Sequence, residues 1–157
     1  HKIPENILKY VTGYKWNVHG GLSPWYRGVI THFWPSYMLE PEYTGMTLHE
    51  TTKNIDGGNI IHQSISTLNI NDGIHQNACR VVKNFSDKLP KLLYKNIQKK
   101  KKLIGIENKT TGRIWTSKMW SPLHLKIIYK VYEDKINKYC IENKKIINPK
   151  IKSILIK

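Results

Sequence analysis

Cysteine is almost missing from this chain. Cys79 and Cys140 are too few and too far apart for a disulfide framework or a zinc cluster. Both fall in predicted helices, where they read as packed free thiols of a reducing cytoplasm. No apolar run approaches the roughly 18 residues of a membrane span, and no secretory signal opens the sequence, so a soluble cytoplasmic protein is expected. Acidic residues are scarce, with Asp+Glu 11 against Lys+Arg 26 and a formal charge of +15. Such an excess ordinarily points to nucleic acid or another anionic partner. Arginine is scarce as well: only Arg27, Arg80 and Arg113 occur. The remainder is lysine, accompanied by much isoleucine and asparagine, the bias of an AT-rich genome. The charge therefore fits nucleic acid or a phosphorylated small substrate equally. There is no Walker or dinucleotide glycine loop. His32, His49, His62, His75 and His124 lack metal-ligand spacing, so no metal is expected. There is no internal repeat. The chain opens on His1 and not on Met, which reads as a fragment or a processed product.

What is present is enough for one ordinary domain: 157 residues, 39% hydrophobic and 10% aromatic. A helix or loop over 3–10 precedes a short buried strand over Lys15–His19, which Gly20-Gly21 ends. Leu22–Gly28, with Pro24, reads as a loop. Val29–Leu39 has helical spacing, with Pro35 kinking it or confining regular helix to its first part. Glu40-Pro41-Glu42 is a turn, and Tyr43–Glu50 and Ile60–Thr67 are strands rich in Thr, Ile, Met and Leu. Asp72 is placed to cap a helix whose face carries Ile74, Ala78, Val81, Val82 and Phe85. Pro90 starts a further helix that ends in the Lys99–Lys102 run, the expected boundary between a portion 1–100 and a portion 101–157. Leu103–Glu107 and Arg113–Ser117 read as a β-hairpin, and Ser121-Pro122 opens a helix reaching about Glu142. The last residues form an edge strand or a loose tail.

The densest chemistry lies between Asn17 and Gly58. Asn17 and His19, two apart on a strand, project from one face, and a strand running out into Gly-Gly is expected to expose His19 at a sheet edge, where α/β proteins place ligands. Asp56 follows on a glycine turn after a second apolar segment has crossed back. An amide donor, an imidazole and a carboxylate brought together suit acyl transfer: one stabilises an oxyanion, one handles a proton, one orients the ring.

Three motifs carry a resemblance. Asn17-x-His19-x-x-Leu22-x-Pro24-x-x-Arg27-Gly28, then Gly45-Met46-Thr47-Leu48-His49, then Ile55-Asp56-Gly57-Gly58-x-Ile60-Ile61-x-Gln63 resemble the 10-formyltetrahydrofolate-dependent formyltransferases over about residues 14–98. The Ser23-Pro24-Trp25-Tyr26-Arg27-Gly28 loop and the Gly112–Trp120 segment look closest to the sugar N-formyltransferases. The resemblance implies an α/β fold: a formyltransferase-type catalytic half, a mixed sheet with flanking helices, then a small hairpin plus helix, with the family's leading nucleotide-fold half missing. It implies an enzyme with 10-formyltetrahydrofolate as co-substrate and a nucleotide-linked amino-deoxysugar as acceptor, of the kind destined for surface polysaccharide. Asn17 and His19 would bond the formyl oxygen. Asp56 would raise the pKa of His19, keep it charged, and help accept the amine proton. The 52–58 loop would cradle the pterin through Thr52, Lys53, Asn54, Ile55, Gly57 and Gly58. Trp25, Tyr26 and Arg27 would meet the substrate, Arg27 as a phosphate ligand or as a lock on loop carbonyls. A methionyl-tRNA formyltransferase-like enzyme, a non-catalytic basic module binding nucleic acid, and a homodimer stay open.

Overall fold

The computed structural model of the protein describes residues 3–99, 102–109, 112–144 and 146–156. Along the chain the regular elements are α1 (Glu5–Leu8), β1 (Trp16–His19), β2 (Arg27–Gly28), α2 (Trp34–Tyr37), β3 (Gly45–Glu50), β4 (Ile60–Ile65), α3 (Ile74–Ile97), β5 (Ile114–Trp115), α4 (Leu123–Lys126) and α5 (Ile136–Asn143). β1, β3 and β4 form an antiparallel sheet in that spatial order, while β2 and β5 make a two-stranded parallel pair. β3 is the middle strand, and all of its residues but Glu50 are buried. β1 was expected to be buried, but it is an edge strand on which Asn17 and Val18 are exposed and His19 is covered.

The core has two parts. α3 presents Val81, Phe85 and Leu89, spaced by one helical repeat, to Met46 and Leu48 of β3 and Ile61 of β4. At about 1.5–3 kcal/mol for each large side chain removed from water, this stripe is what holds the helix on the sheet. Leu155 joins that cluster because the chain end lies on the free edge of β4, where Gln63 N–H donates to Lys152 O and Ile154 N–H to Ile61 O, both at 2.9 Å. The second cluster gathers Tyr26, Phe33, Trp34, Ile74, Trp115, Ile128, Ile136 and Cys140. Trp115 lies at its centre, stacked on Trp34 at 4.3 Å and on Tyr26 at 6.0 Å. Apolar burial thus runs across the expected boundary at Lys99–Lys102, of which Lys100 and Lys101 lie outside the described residues.

Several expectations are corrected by tertiary partners. Leu103–Glu107 and Arg113–Ser117 are not a hairpin. Ile106 exchanges two backbone hydrogen bonds with Ile60 (2.7 and 2.8 Å), whereas Ile114 and Trp115 align parallel with Arg27 and Gly28. The Thr110-Thr111 part of the expected turn lies outside the described residues. The helix expected from Val29 starts only at Trp34: Val29 N–H donates to Trp115 O, Ile30 sits at φ +58°, and Pro35 occupies the first turn, where its missing N–H goes unnoticed. Pro90 does not start a helix but lies inside the 24-residue α3. Asp72 does not cap α3. It pairs with Arg80 at 2.7–2.8 Å, and the Ile74 N–H is taken by Asp134 Oδ1 at 2.9 Å. That long-range cap is also why the helix expected through Glu142 breaks, since Glu133 and Asp134 turn left-handed (φ +51° and +55°) between α4 and α5. Among the described residues no helix is long and apolar enough to cross a membrane, and no group of three or more His, Cys, Asp or Glu is arranged to hold a metal ion.

Candidate active site

Asn17 and His49 are cross-strand partners in the β1–β3 register, and His19 stands two residues further along β1. Pleating therefore puts all three side chains on one face. The turn between β3 and β4 then carries Asp56 onto that face. Its Oδ2 lies 3.5 Å from His19 Nδ1 and its Oδ1 lies 3.4 Å from His49 Nε2, so one carboxylate sits between two imidazoles. Gly28 N–H donates to Asp56 Oδ2 at 2.9 Å. Asn17 Nδ2 reaches His49 Nε2 at 3.3 Å.

The carbonyl partners set the tautomers. Tyr26 O accepts from His19 Nε2–H at 3.0 Å, and Glu50 O accepts from His49 Nδ1–H at 2.8 Å. In its neutral form each ring then turns a lone pair toward Asp56, and a proton added there converts the contact into a charge-assisted hydrogen bond. Burial lowers the pKa of His19, and the neighbouring Asp56 and the Tyr26 carbonyl, which raise it, do not offset that. The imidazole raised and kept charged by its carboxylate is thus corrected: desolvation wins, and at neutral pH His19 is an empty proton acceptor. Burial also pushes the Asp56 carboxyl up. In the acid range where Asp56 itself titrates, the rings carry the added proton, and the hydrogen bond from His49, the charge of His19 and the Gly28 N–H together outweigh burial and hold the group below the ordinary carboxylate range.

Two clefts meet at this cluster. The first, about 410 Å³, is lined by Asn17, His49, Thr51, Thr52, Asn54, Ile55 and Asp56 on one side and by Ile114, Trp115, Thr116 and Ser117 on the other. The second, about 510 Å³, is lined by His19, Gly20, Ile30, Thr31, His32, Phe33, Ile74, His75 and Ala78. Gly28 and Val29 line both and form the partition. The partition is thin because residue 28 is glycine. It holds φ +100°, and a Cβ there would run into the Trp115 carbonyl.

No family model matches the chain. Among solved structures, the chain is similar to the formyltransferase PseJ from Anoxybacillus kamchatkensis, determined with UDP-4,6-dideoxy-4-formamido-L-AltNAc and tetrahydrofolate (TM-score 0.65, 22% identity, 88% of this chain and 70% of that one). It is similar to a 4-N formyltransferase from Francisella tularensis (TM-score 0.62, 22% identity, 75% and 46%). A third is an N-formyltransferase from Helicobacter canadensis in complex with folinic acid and dTDP-3-aminofucose (TM-score 0.53, 26% identity, 68% and 39%). The chain has the fold of the sugar N-formyltransferases. It spans about half the length of several of the solved structures it matches, 46% of the Francisella enzyme and 49% of a likely sugar N-formyltransferase from Mycobacterium tuberculosis.

Within this formyltransferase fold the expected residues divide clearly. Asn17, His19 and Asp56 are brought together, although His19 opens to the second cleft while Asn17 and Asp56 open to the first. Thr52, Asn54 and Ile55 line the first cleft, but Lys53, Gly57 and Gly58 do not. Gly58 is pressed against the Glu50 carbonyl, where a Cβ would collide. Trp25, Tyr26 and Arg27 line neither cleft. Trp25 packs edge-on against Tyr43 at 5.4 Å, and Tyr26 is buried, with its hydroxyl donating to Glu40 at 2.6 Å. Arg27 is buried too. Its guanidinium donates to Ile55 O (3.3 Å) and Gly112 O (2.9 Å), the contacts expected of a lock on loop carbonyls. His49, the Gly28 N–H and the Ile114–Ser117 wall went unassigned from sequence. His49 was visible only as part of a motif, and the other two depend on strand pairings without a local signal.

Proposed function

We propose that the protein transfers a formyl group from 10-formyltetrahydrofolate to the primary amine of a nucleotide-linked amino-deoxysugar. The single observation that carries this reading is Asp56 held between His19 and His49 at the meeting point of two clefts, with the Asn17 amide beside it. Support also comes from the ligands held in structures of this fold, which include tetrahydrofolate, folinic acid and nucleotide sugars.

In this mechanism the first cleft takes the pterin, against the exposed 52–55 backbone, and the acceptor sugar comes through the second. The neutral amine attacks the formyl carbon, a C–N bond forms, and the carbonyl oxygen becomes an oxyanion. Asn17 donates to that oxygen with the amide hydrogen that His49 does not use. The amine proton passes to the His19–Asp56 pair, which can take one proton because His19 is neutral and Asp56 ionised. The resulting imidazolium adds a second electrostatic stabiliser beside the oxyanion. Return of the proton to N10 of the folate releases tetrahydrofolate as the old C–N bond breaks, and the sugar leaves as a formamide.

The test is incubation of the protein with 10-formyltetrahydrofolate and nucleotide-linked 3-amino- and 4-amino-deoxysugars. Tetrahydrofolate release is followed by absorbance and the formamide by mass spectrometry. Product with at least one amino sugar is expected. No product with any of them, together with no binding of 5-formyltetrahydrofolate by calorimetry, refutes the reading.

A further inference from the structure

We propose that Asn108 is a positioning residue for Asp56: its side-chain amide clips the two ends of the Asp56–Gly58 turn and so holds the carboxylate between His19 and His49. The inference rests on the formyl-transfer reading for its kinetic consequence but not for its geometry.

Asn108 is buried and lies two residues beyond Ile106, whose pairing with Ile60 fixes the chain beside the turn. Its Nδ2 donates to Asp56 O at 3.3 Å and to Gly58 O at 3.2 Å. The reverse amide orientation would set an oxygen against both carbonyls, so the donor assignment is forced. Ser23 Oγ donates to the same Asp56 carbonyl at 3.0 Å. Two side chains from distant parts of the sequence thus converge on one backbone oxygen, and there is a reason for such an effort. Asp56 sits at φ +45°, in the left-handed region that aspartate enters more readily than most residues with a Cβ but still at a cost. A turn released from these donors relaxes toward negative φ, and that rotation swings the carboxylate off the two rings. The groups facing Asp56 are His19 from β1, His49 from β3 and the Gly28 N–H from β2, with the Arg27 guanidinium on the adjoining Ile55 carbonyl. Asn108 itself lines neither cleft, so it acts through Asp56 and not on substrate.

The test uses Asn108→Ala and Ser23→Ala in the full chain, with imidazole NMR titration and formyl-transfer kinetics. Asp56 raises His19 while burial lowers it. Withdrawal of the carboxylate with burial retained therefore moves the His19 midpoint further down in both variants. The kcat falls on the order of tenfold to a hundredfold while the acceptor KM stays within about twofold, as for a misplaced catalytic group. Asn108→Gln, which keeps the donor on a longer stem, recovers part of both changes. A His19 midpoint unchanged from wild type in both variants, or one rising to the ordinary imidazole value as water enters a loosened site, overturns the proposal. Should Asn108→Ala not fold, Ser23→Ala carries the same test. A wild-type protein without formyl transfer refutes the functional reading and leaves the titration to judge the clip.

Discussion

Replacing Gly28 by alanine tests the architecture at its narrowest point. The added Cβ meets the Trp115 carbonyl oxygen within van der Waals contact, and φ +100° is itself strained for any residue with a side chain. The backbone strain alone is worth about 1–3 kcal/mol. Relief of the clash requires β5 to move off β2, which forfeits the Val29 N–H to Trp115 O bond of 2.9 Å, worth about 1 kcal/mol net. It also displaces the Gly28 N–H from Asp56 Oδ2, a hydrogen bond to a charged acceptor worth roughly 1.5–3 kcal/mol. Together these predict a loss of about 3.5–7 kcal/mol, a large share of the stability of an ordinary domain. Urea unfolding followed by far-ultraviolet circular dichroism reads this as a lower midpoint at unchanged slope. Formyl transfer should fall more than stability alone explains, because the partition between the clefts and one partner of Asp56 are lost together. A variant within about 1 kcal/mol of wild type, with normal turnover, would falsify the account of Gly28 as a forced glycine.

On the proposed mechanism Asn17→Ala removes one oxyanion donor from an exposed position, so kcat should fall about a hundredfold with the affinity for 5-formyltetrahydrofolate little changed. Calorimetry and steady-state kinetics check the two halves, and an unaltered kcat excludes Asn17 from the transition state. Burial lowers the pKa of His19, His32 and His62 from 6.5. Below that value the unfolded chain binds protons that the fold refuses, so their stabilising contribution is complete above pH 6.5 and is lost as pH falls toward the depressed values. Stability should therefore hold from pH 7.5 to about 6.5 and fall below it, with a limiting slope of about 1.4 kcal/mol per pH unit for each imidazole still neutral in the fold, read as a lower urea midpoint at pH 5.5 than at 7.5. A midpoint flat over that range contradicts their burial as neutral rings. Pro90 removes one internal hydrogen bond from α3. Pro90→Ala should stabilise the protein by about 1–3 kcal/mol in the same assay, and destabilisation there counts against a continuous helix.

The sequence alone determined the features that depend on local pattern. The antiparallel β3–β4 crossing with Asp56 between its strands follows from two runs rich in β-formers around a glycine turn. The apolar stripe of α3 follows from residues repeating at one helical turn. Asn17 and His19 share a face because a strand alternates, whatever it pairs with. Only the tertiary structure decided matters where one segment meets another far along the chain. It paired Ile114–Trp115 with Arg27–Gly28 and so built a cleft wall out of what reads locally as a hairpin arm. It brought Asp134 to the start of α3 and broke a helix to do so. It turned Arg27 inward to loop carbonyls and set Asn108 under the Asp56 turn. Above all it placed His19 out of water, and the sign of that residue's pKa shift follows from burial, which no spacing of letters encodes. Residue types and short-range periodicity write the chemistry into the chain, but charge states and cleft walls come from the low-dielectric contacts made when distant segments exclude solvent together.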